Sequence, residues 1–268
     1  MSVRFPNGTG FSKDSNDIII LILANVVVLT SAVWLVSRGN RLALCVMLAV
    51  LVGLRYVSGH ELPGAEFLKW SPLPWLFRFG LAVPSIVAIM GLIVGSLLQD
   101  WLRGSDLTNE AGWGGPKSGI AALLAFALTP VVTAGLYARQ LPLTAALSAA
   151  LAAGLWLATA KPGKPYERLC RRMLPWATLF LAIGLAAERY EGGIKKDPAT
   201  LSYYFTTAAL ATLLLISFTL LFERFAGWRK SLAPINGAGA NPMIAYVAGS
   251  NLVGPLLFLT GVNPAINR

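Results

Sequence analysis

A single histidine in the chain stands beside a carboxylate. His60 precedes Glu61 in the short segment Ser58-Gly59-His60-Glu61. A histidine oriented by a neighbouring acid can act as a general base, because imidazole titrates close to neutral pH. His60 is therefore the candidate catalytic residue, and the alternative is a loop histidine without a chemical role. A metal site is not predicted, because no second histidine and no cysteine pair with ligand spacing accompany it.

Five cations share one stretch of sequence with a single acid, Glu167. They are Lys161, Lys164, Arg168, Arg171 and Arg172. Such a cluster can contact the phosphate groups of an anionic ligand, since arginine and lysine are the usual phosphate partners. It is also typical of a loop that stays on the cytoplasmic side of a membrane, which is the stronger interpretation of the spacing.

A second polar segment leads into an apolar run near residue 200. Asp197 before Pro198 predicts a helix N-cap followed by a proline in the first helical position. Lys195 and Lys196 then lie just outside the helix, and Tyr203 lies within its first turns as an interfacial anchor. These residues form a cationic lip that could receive an anionic substrate group, and the alternative is plain helix capping.

A third segment repeats this pattern near residue 240. Glycines precede Asn241 and Pro242, which predict another N-cap and first helical residue. Asn241 and Tyr246 are candidate substrate-binding residues, because an amide at a helix start can orient a polar ligand group. Plain capping is again the alternative.

The composition fixes the elements that must position these residues. Hydrophobic types make up 56% of the 268 residues and charged types only 13%, against roughly a quarter charged in soluble domains. Apolar runs of span length predict an all-α, polytopic transmembrane helical bundle of about eight spans. The predicted spans are residues 18–37, 42–58, 79–99, 119–137, 141–160, 173–188, 202–223 and 242–260.

The predicted organisation is a polar N-terminal segment, residues 1–17, followed by one transmembrane domain, residues 18–268. The cation density of residues 161–172 places that stretch in the cytoplasm and the N-terminus outside. The net charge of +10 then reports topology, and no nucleic-acid partner is predicted. Within the third span, Gly91 and Gly95 form a small-xxx-small pair that predicts close contact with another helix.

The two helix-start segments, taken in order, carry a resemblance to a known family. They resemble the C-terminal portion of bacterial transmembrane acyltransferase-like proteins related to heparan-alpha-glucosaminide N-acetyltransferase. The matching positions are the Lys195 to Tyr204 stretch, Gly239, Asn241, Tyr246 and Val247, and the segment from Ser71 to Phe79. The resemblance covers roughly residues 15–262.

The resemblance implies acyl transfer from cytosolic acetyl-CoA to a sugar or cell-envelope acceptor in the bacterial inner membrane. Acetyl-CoA would be a donor substrate, and no permanently bound cofactor is implied. The family's catalytic histidine lies in a His-Ala-Pro-Trp-like context that His60 does not match. We therefore expect either an incomplete family fold, with a partner chain supplying further helices or a homo-oligomer, or a relative that has lost the chemistry. In both cases the chain is expected to be inactive alone.

The leading hypothesis is an integral membrane protein of this acyltransferase-like family, with residues 161–172 contacting the donor phosphates. In that hypothesis Lys195 and Lys196 meet an anionic acceptor at the outer side, and Asn241 shapes the donor tunnel. The alternatives are a non-catalytic accessory subunit of a larger membrane complex and a small transporter. A bilayer partner is common to all three.

Overall fold

A computed structural model describes residues 18–59, 71, 82–104, 112–196 and 199–224. It also describes five isolated positions, residues 227, 237, 239, 256 and 259. The chain divides into two compact units, Met1–Leu220 and Leu221–Arg268. Within the second unit, the structure describes only the end of the last helix and the isolated positions.

The described residues form helices joined by short turns. They are α1 (Ile18–Ser37), α2 (Arg41–Gly59), α3 (Ser85–Leu102), α4 (Gly115–Tyr137), α5 (Leu141–Ala158), α6 (Pro165–Glu191) and α7 (Leu201–Arg224). This confirms the all-α class. The first seven predicted spans each overlap one of these helices, and the eighth, residues 242–260, lies outside the described residues.

Five of the helices, α3 to α7, are long and apolar enough to cross a membrane. They support an integral membrane protein, although the predicted count of about eight spans is not confirmed. Large apolar side chains remain uncovered on the helix surfaces, with Val36 85% and Leu157 79% exposed. Hydrocarbon is the solvent that suits such surfaces. Charged residues of the described helices lie within about two turns of a helix end. This distribution keeps them out of the middle of the bilayer, where a charged side chain is costly.

Prolines and polar caps set several helix boundaries. Pro116, Pro142 and Pro165 lie in the first turns of α4, α5 and α6, where the missing N–H costs no intrahelical hydrogen bond. The Asn40 side chain accepts a hydrogen bond from the Leu42 N–H at 2.9 Å and caps α2. Gly192 ends α6 in the left-handed conformation that glycine adopts without strain.

Small residues bring neighbouring helices into close contact. The Gly184 backbone on α6 lies so near α7 that an added Cβ would stand 2.8 Å from the Thr206 backbone nitrogen. Phe180 and Phe205 meet edge to face beside this contact, with ring centroids 6.1 Å apart. The Ser217 hydroxyl on α7 donates to the Ala122 carbonyl on α4 at 2.9 Å. These contacts hold α4, α6 and α7 together.

The close contact predicted at Gly91 and Gly95 is wrong. Among the described residues, a Cβ at either position would meet nothing within 4 Å. Both glycines instead line an open groove of about 260 Å³ between α3 and α7, opposite Ala208 and Ala211. The two glycines face α7 across this groove, but α7 is too far away for close packing.

Candidate functional site

The basic segment, residues 161–172, spans the turn between α5 and α6 and the first two turns of α6. The sequence predicts a loop here, and this is wrong from Pro165 onward. Pro165 takes the first helical position and Glu167 the third, so the chain enters the helix early. Lys161 and Lys164 therefore lie in the turn, while the three arginines lie on the first two turns of α6.

Glu167 fixes the geometry of this turn from inside. Its side chain is fully buried, and one carboxylate oxygen accepts hydrogen bonds from the backbone N–H groups of Gly163 at 2.9 Å and Lys164 at 3.1 Å. The other oxygen accepts from the Trp113 N–H at 2.9 Å. The acid among the five cations is thus bound to backbone N–H groups at a helix N-terminus, where negative charge is stabilised.

Trp113 completes the connection between two turns. Its ring is buried, and its indole Nε1–H donates to the Ala160 carbonyl at 2.9 Å. Gly112 passes so close to Glu167 that a Cβ there would lie 2.6 Å from a carboxylate oxygen. The turn before α4 and the turn before α6 therefore form one hydrogen-bonded unit.

Arg171 has a structural role within the basic segment. Its guanidinium stacks on the Trp156 ring, with 4.1 Å from Cζ to the ring centroid. It also donates to the Trp156 carbonyl at 2.8 Å and to the Thr159 hydroxyl oxygen at 3.0 Å. These bonds satisfy the C-terminal end of α5 and join it to α6. Arg171 is thus placed to position the segment, and the outward cations are the better phosphate contacts.

The lysines of the turn have fixed backbones and exposed side chains. Lys161 adopts a left-handed conformation, with φ of 53°, in a Lys-Pro-Gly-Lys-Pro run. The Lys164 ammonium lies 5.8 Å from the Tyr166 ring centroid. Lys161, Lys164 and Arg172 are exposed and Arg168 is half-buried. These cations lie close together on a turn whose backbone is held by Glu167, and such a cluster can bind a polyanion.

The predicted substrate lip lies at the other end of α6. Lys195 and Lys196 are exposed there, in the turn that leads to α7. The helix starts later than Asp197 and Pro198 predict. It begins at Leu201, and Thr200 acts as its cap. The Thr200 hydroxyl oxygen accepts from the Tyr203 N–H at 3.2 Å. Asp197 and Pro198 themselves lie outside the described residues.

Glu191 supplies the rest of this cap. Its carboxylate oxygens accept from the N–H groups of Leu201 at 2.9 Å and Ser202 at 2.8 Å. Glu191, the last residue of α6, thus reaches back across the glycine turn to the start of α7.

Tyr203 lines a cavity of about 550 Å³ between α4 and α7. Arg139, Thr133 and Thr206 face the same space, so it offers one cation and several hydroxyl groups. The Arg139 guanidinium is held by the Glu188 carboxylate at 3.6 Å and donates to the Gly192 carbonyl at 3.3 Å. The cavity thus combines a largely apolar lining with a few polar groups, as ligand pockets commonly do.

A larger groove of about 750 Å³ separates α5 from α6. Its α5 wall is made of small residues that include Ala145, Ser148, Ala149 and Ala152. Here the small side chains face open space, with Arg189 at one end.

Three of the predicted site residues lie outside the described residues: His60, Asn241 and Tyr246. Their catalytic and binding roles remain predictions. The structure brings together Lys195, Lys196 and Tyr203 near one end of α7, and it brings Lys161 and Lys164 together with the first turns of α6. In the part of the chain that the structure describes, no three His, Cys, Asp or Glu side chains group as a metal site.

Sequence reasoning missed Glu167, Glu191, Arg139 and Trp113. Glu167 could have been found, because an acid two residues after a helix-initial proline is a capping-box signal. The partners of Trp113 and Arg139 lie 54 and 53 residues away. No local pattern encodes such contacts, which depend on how the helices pair.

Residues 1–102 match the family described as a domain of unknown function, DUF5009. The match covers less than half of the 268 residues. It includes α1, α2 and α3 and ends before the basic segment. No curated protein and no solved structure matches the chain.

Proposed function

We propose that this integral membrane protein belongs to an acyl-transfer system of the bacterial inner membrane and binds acyl-CoA at the basic segment. The observation that carries the proposal is the rigid turn at Lys161 to Lys164. Glu167 fixes its backbone through the N–H groups of Gly163 and Lys164, while both lysine side chains stay exposed. CoA carries several phosphate charges, and a preorganised cluster of cations is complementary to them.

The acceptor side of the proposal uses the opposite end of α6. Lys195 and Lys196 are exposed beside the cavity lined by Tyr203 and Arg139. A sugar or cell-envelope acceptor has the hydroxyl or amine groups that this cavity can bind. Since α6 crosses the membrane in this account, donor and acceptor would approach from opposite faces, as in the acyltransferases that the sequence resembles.

The donor site is tested by CoA binding to the full chain purified in detergent. We expect the double variant Lys161→Gln/Lys164→Gln to bind CoA about tenfold more weakly, since two lost charge contacts amount to about 1.4 kcal/mol. The matched control is Lys195→Gln/Lys196→Gln, which removes the same charge at the other end of α6 and should bind CoA within about twofold of the parent chain.

Salt provides a second readout. Binding by exposed cations should weaken as ionic strength rises, because the Debye length falls to about 8 Å at 0.15 M. Absence of CoA binding, or equal weakening by both double variants, would contradict the donor site. A chain that binds no CoA would instead fit a non-catalytic accessory subunit.

Transfer itself is tested by release of free CoA in the presence of glucosamine-type acceptors. We expect no release by the purified chain, because His60 does not match the catalytic context of the family that the sequence resembles. Turnover that His60→Ala abolishes would overturn this expectation and make His60 the general base.

A further inference from the structure

The length of the α5–α6 groove follows from its lining residues. Leu141 and Arg189 lie at one end, and Ala152 and Thr178 lie at the other. Each wall covers eleven residue steps of a helix, which is about 16 Å at 1.5 Å per residue. The hydrocarbon core of a bilayer is about 30 Å thick. The groove therefore extends through about one leaflet.

The groove ends where the two helices are joined. Arg171 stacks on Trp156 and bonds to its carbonyl, which holds α5 and α6 together beyond Ala152. A groove open over one leaflet has about the length of a lipid acyl chain, which favours a lipid over a helix that spans the whole membrane.

Ser148 gives the groove a polar point at mid-depth. The residue is 2% exposed and lines the groove, yet its hydroxyl has no hydrogen-bond partner within the described part of the chain. A buried hydroxyl without a partner costs free energy, so a ligand that offers an acceptor is favoured at this position. The ester carbonyl of an acyl chain is such an acceptor.

Arg189 gives the groove a cationic mouth. Its side chain is exposed, and its acidic neighbour Glu188 is already paired with Arg139. Helical side chains tend to lean toward the helix N-terminus, so the flexible Arg189 side chain can reach from the end of the groove toward the level of Ser148. The groove entrance is thus complementary to a lipid phosphate that is linked through glycerol to an ester carbonyl.

We propose that the α5–α6 groove is a binding site for one anionic glycerophospholipid. Its phosphate meets Arg189, its ester carbonyl accepts from Ser148, and one acyl chain lies along Ala145, Ala149 and Ala152. This site is separate from the acyl-CoA site, because the basic segment lies at the opposite end of α6.

The test is native mass spectrometry of the full chain in mild detergent, titrated with phosphatidylglycerol or phosphatidylcholine. The parent chain should retain one phosphatidylglycerol per protomer and prefer it severalfold over phosphatidylcholine. Arg189→Gln should remove most of this preference, and Arg189→Lys should keep part of it, since lysine retains the charge without the planar fork.

A bulky substitution tests the groove itself. Ala149→Phe fills it and should lower phosphatidylglycerol retention at least fivefold. The matched control is Ala146→Phe, which lies on the same helix outside the groove and on an exposed position, and it should retain the lipid like the parent. The charge variants keep the test decisive if Ala149→Phe fails to fold.

Equal retention of the two lipids by the parent chain would overturn the proposal. Unchanged retention in a folded Ala149→Phe chain would overturn it too. A dimer that Ala149→Phe dissociates, with no lipid bound, would show that a helix of a second copy occupies the groove. None of these outcomes depends on CoA binding, so this proposal and the donor site fail separately.

Discussion

The Glu167 carboxylate accepts a hydrogen bond from the Trp113 backbone N–H at 2.9 Å, across 54 residues of sequence. This bond joins the turn before α4 to the first turn of α6. Because Glu167 also binds Gly163 and Lys164, the position of the basic segment depends on it. The exposed lysines are held in place by an acid that is itself buried.

Gly112→Ala should destabilise the protein through this acid. The added Cβ would stand 2.6 Å from a Glu167 oxygen, so the carboxylate must shift away from its backbone donors. Hydrogen bonds to charged groups contribute about 1.5–3 kcal/mol each, and we expect a loss of about 2 kcal/mol. Gly114→Ala is the control, because its Cβ would make ordinary contact with Pro116 at 3.8 Å. Unfolding in detergent measures both variants, and equal stability would contradict the role of Glu167.

Arg171→Lys should loosen the junction of α5 and α6. Lysine keeps the charge but loses the planar stack on Trp156 and the paired bonds to Trp156 and Thr159. We expect a cost of about 1–2 kcal/mol in the free energy of unfolding. Arg103→Lys, on an exposed position, should change stability by less than about 0.5 kcal/mol. Equal effects of the two substitutions would show that the stack contributes nothing.

Helix positions followed from the sequence, because a span must be apolar over its whole length and charges must lie near its ends. The seven described helices each overlap a predicted span for this reason. Helix pairing did not follow, as Gly91 and Gly95 show. Their spacing marks a surface for close contact, yet the nearest helix leaves a groove. The spacing of residues along a helix shows which face carries small side chains, but it does not show whether another helix packs against that face.

The candidate site was predictable to the same degree. The cation cluster at residues 161–172 is visible in the sequence. Which cations have a structural role and which stay exposed is not visible there: Arg171 is bound to Trp156, while Lys161 and Lys164 are exposed. That division depends on the end of α5 meeting the start of α6 in space. The cap at Leu201 likewise required Glu191 to fold back from the preceding helix.

Substitutions at two helix glycines should have opposite effects. Gly184→Ala would place a Cβ 2.8 Å from the Thr206 nitrogen and 3.2 Å from its Cα, so α6 and α7 must separate at a cost of about 1–3 kcal/mol. Gly95→Ala meets nothing within 4 Å and should stabilise α3 by up to about 1 kcal/mol through helix propensity. Unfolding midpoints in one detergent compare them, and a destabilised Gly95→Ala would restore the close contact that the sequence predicts.

Glu191→Gln should weaken the start of α7. The Leu201 and Ser202 N–H groups each donate to one carboxylate oxygen, and an amide can accept only one of these bonds. Removing the charge also loses its interaction with the helix dipole, for a total of about 1–2 kcal/mol. Hydrogen exchange of the Leu201 and Ser202 amides should accelerate, while that of amides in the middle of α7 should not. Unchanged exchange at both amides would contradict the cap.

The most direct measurement of the account is the accessibility of two engineered cysteines in intact cells. The donor site requires the basic segment to face the cytosol, and α6 must cross the membrane between Lys164 and Lys196. In a chain freed of its own Cys45 and Cys170, an impermeant maleimide should label Lys196→Cys in intact cells and Lys164→Cys only after permeabilisation. Labelling of Lys164→Cys in intact cells, or identical behaviour of the two positions, would contradict the account.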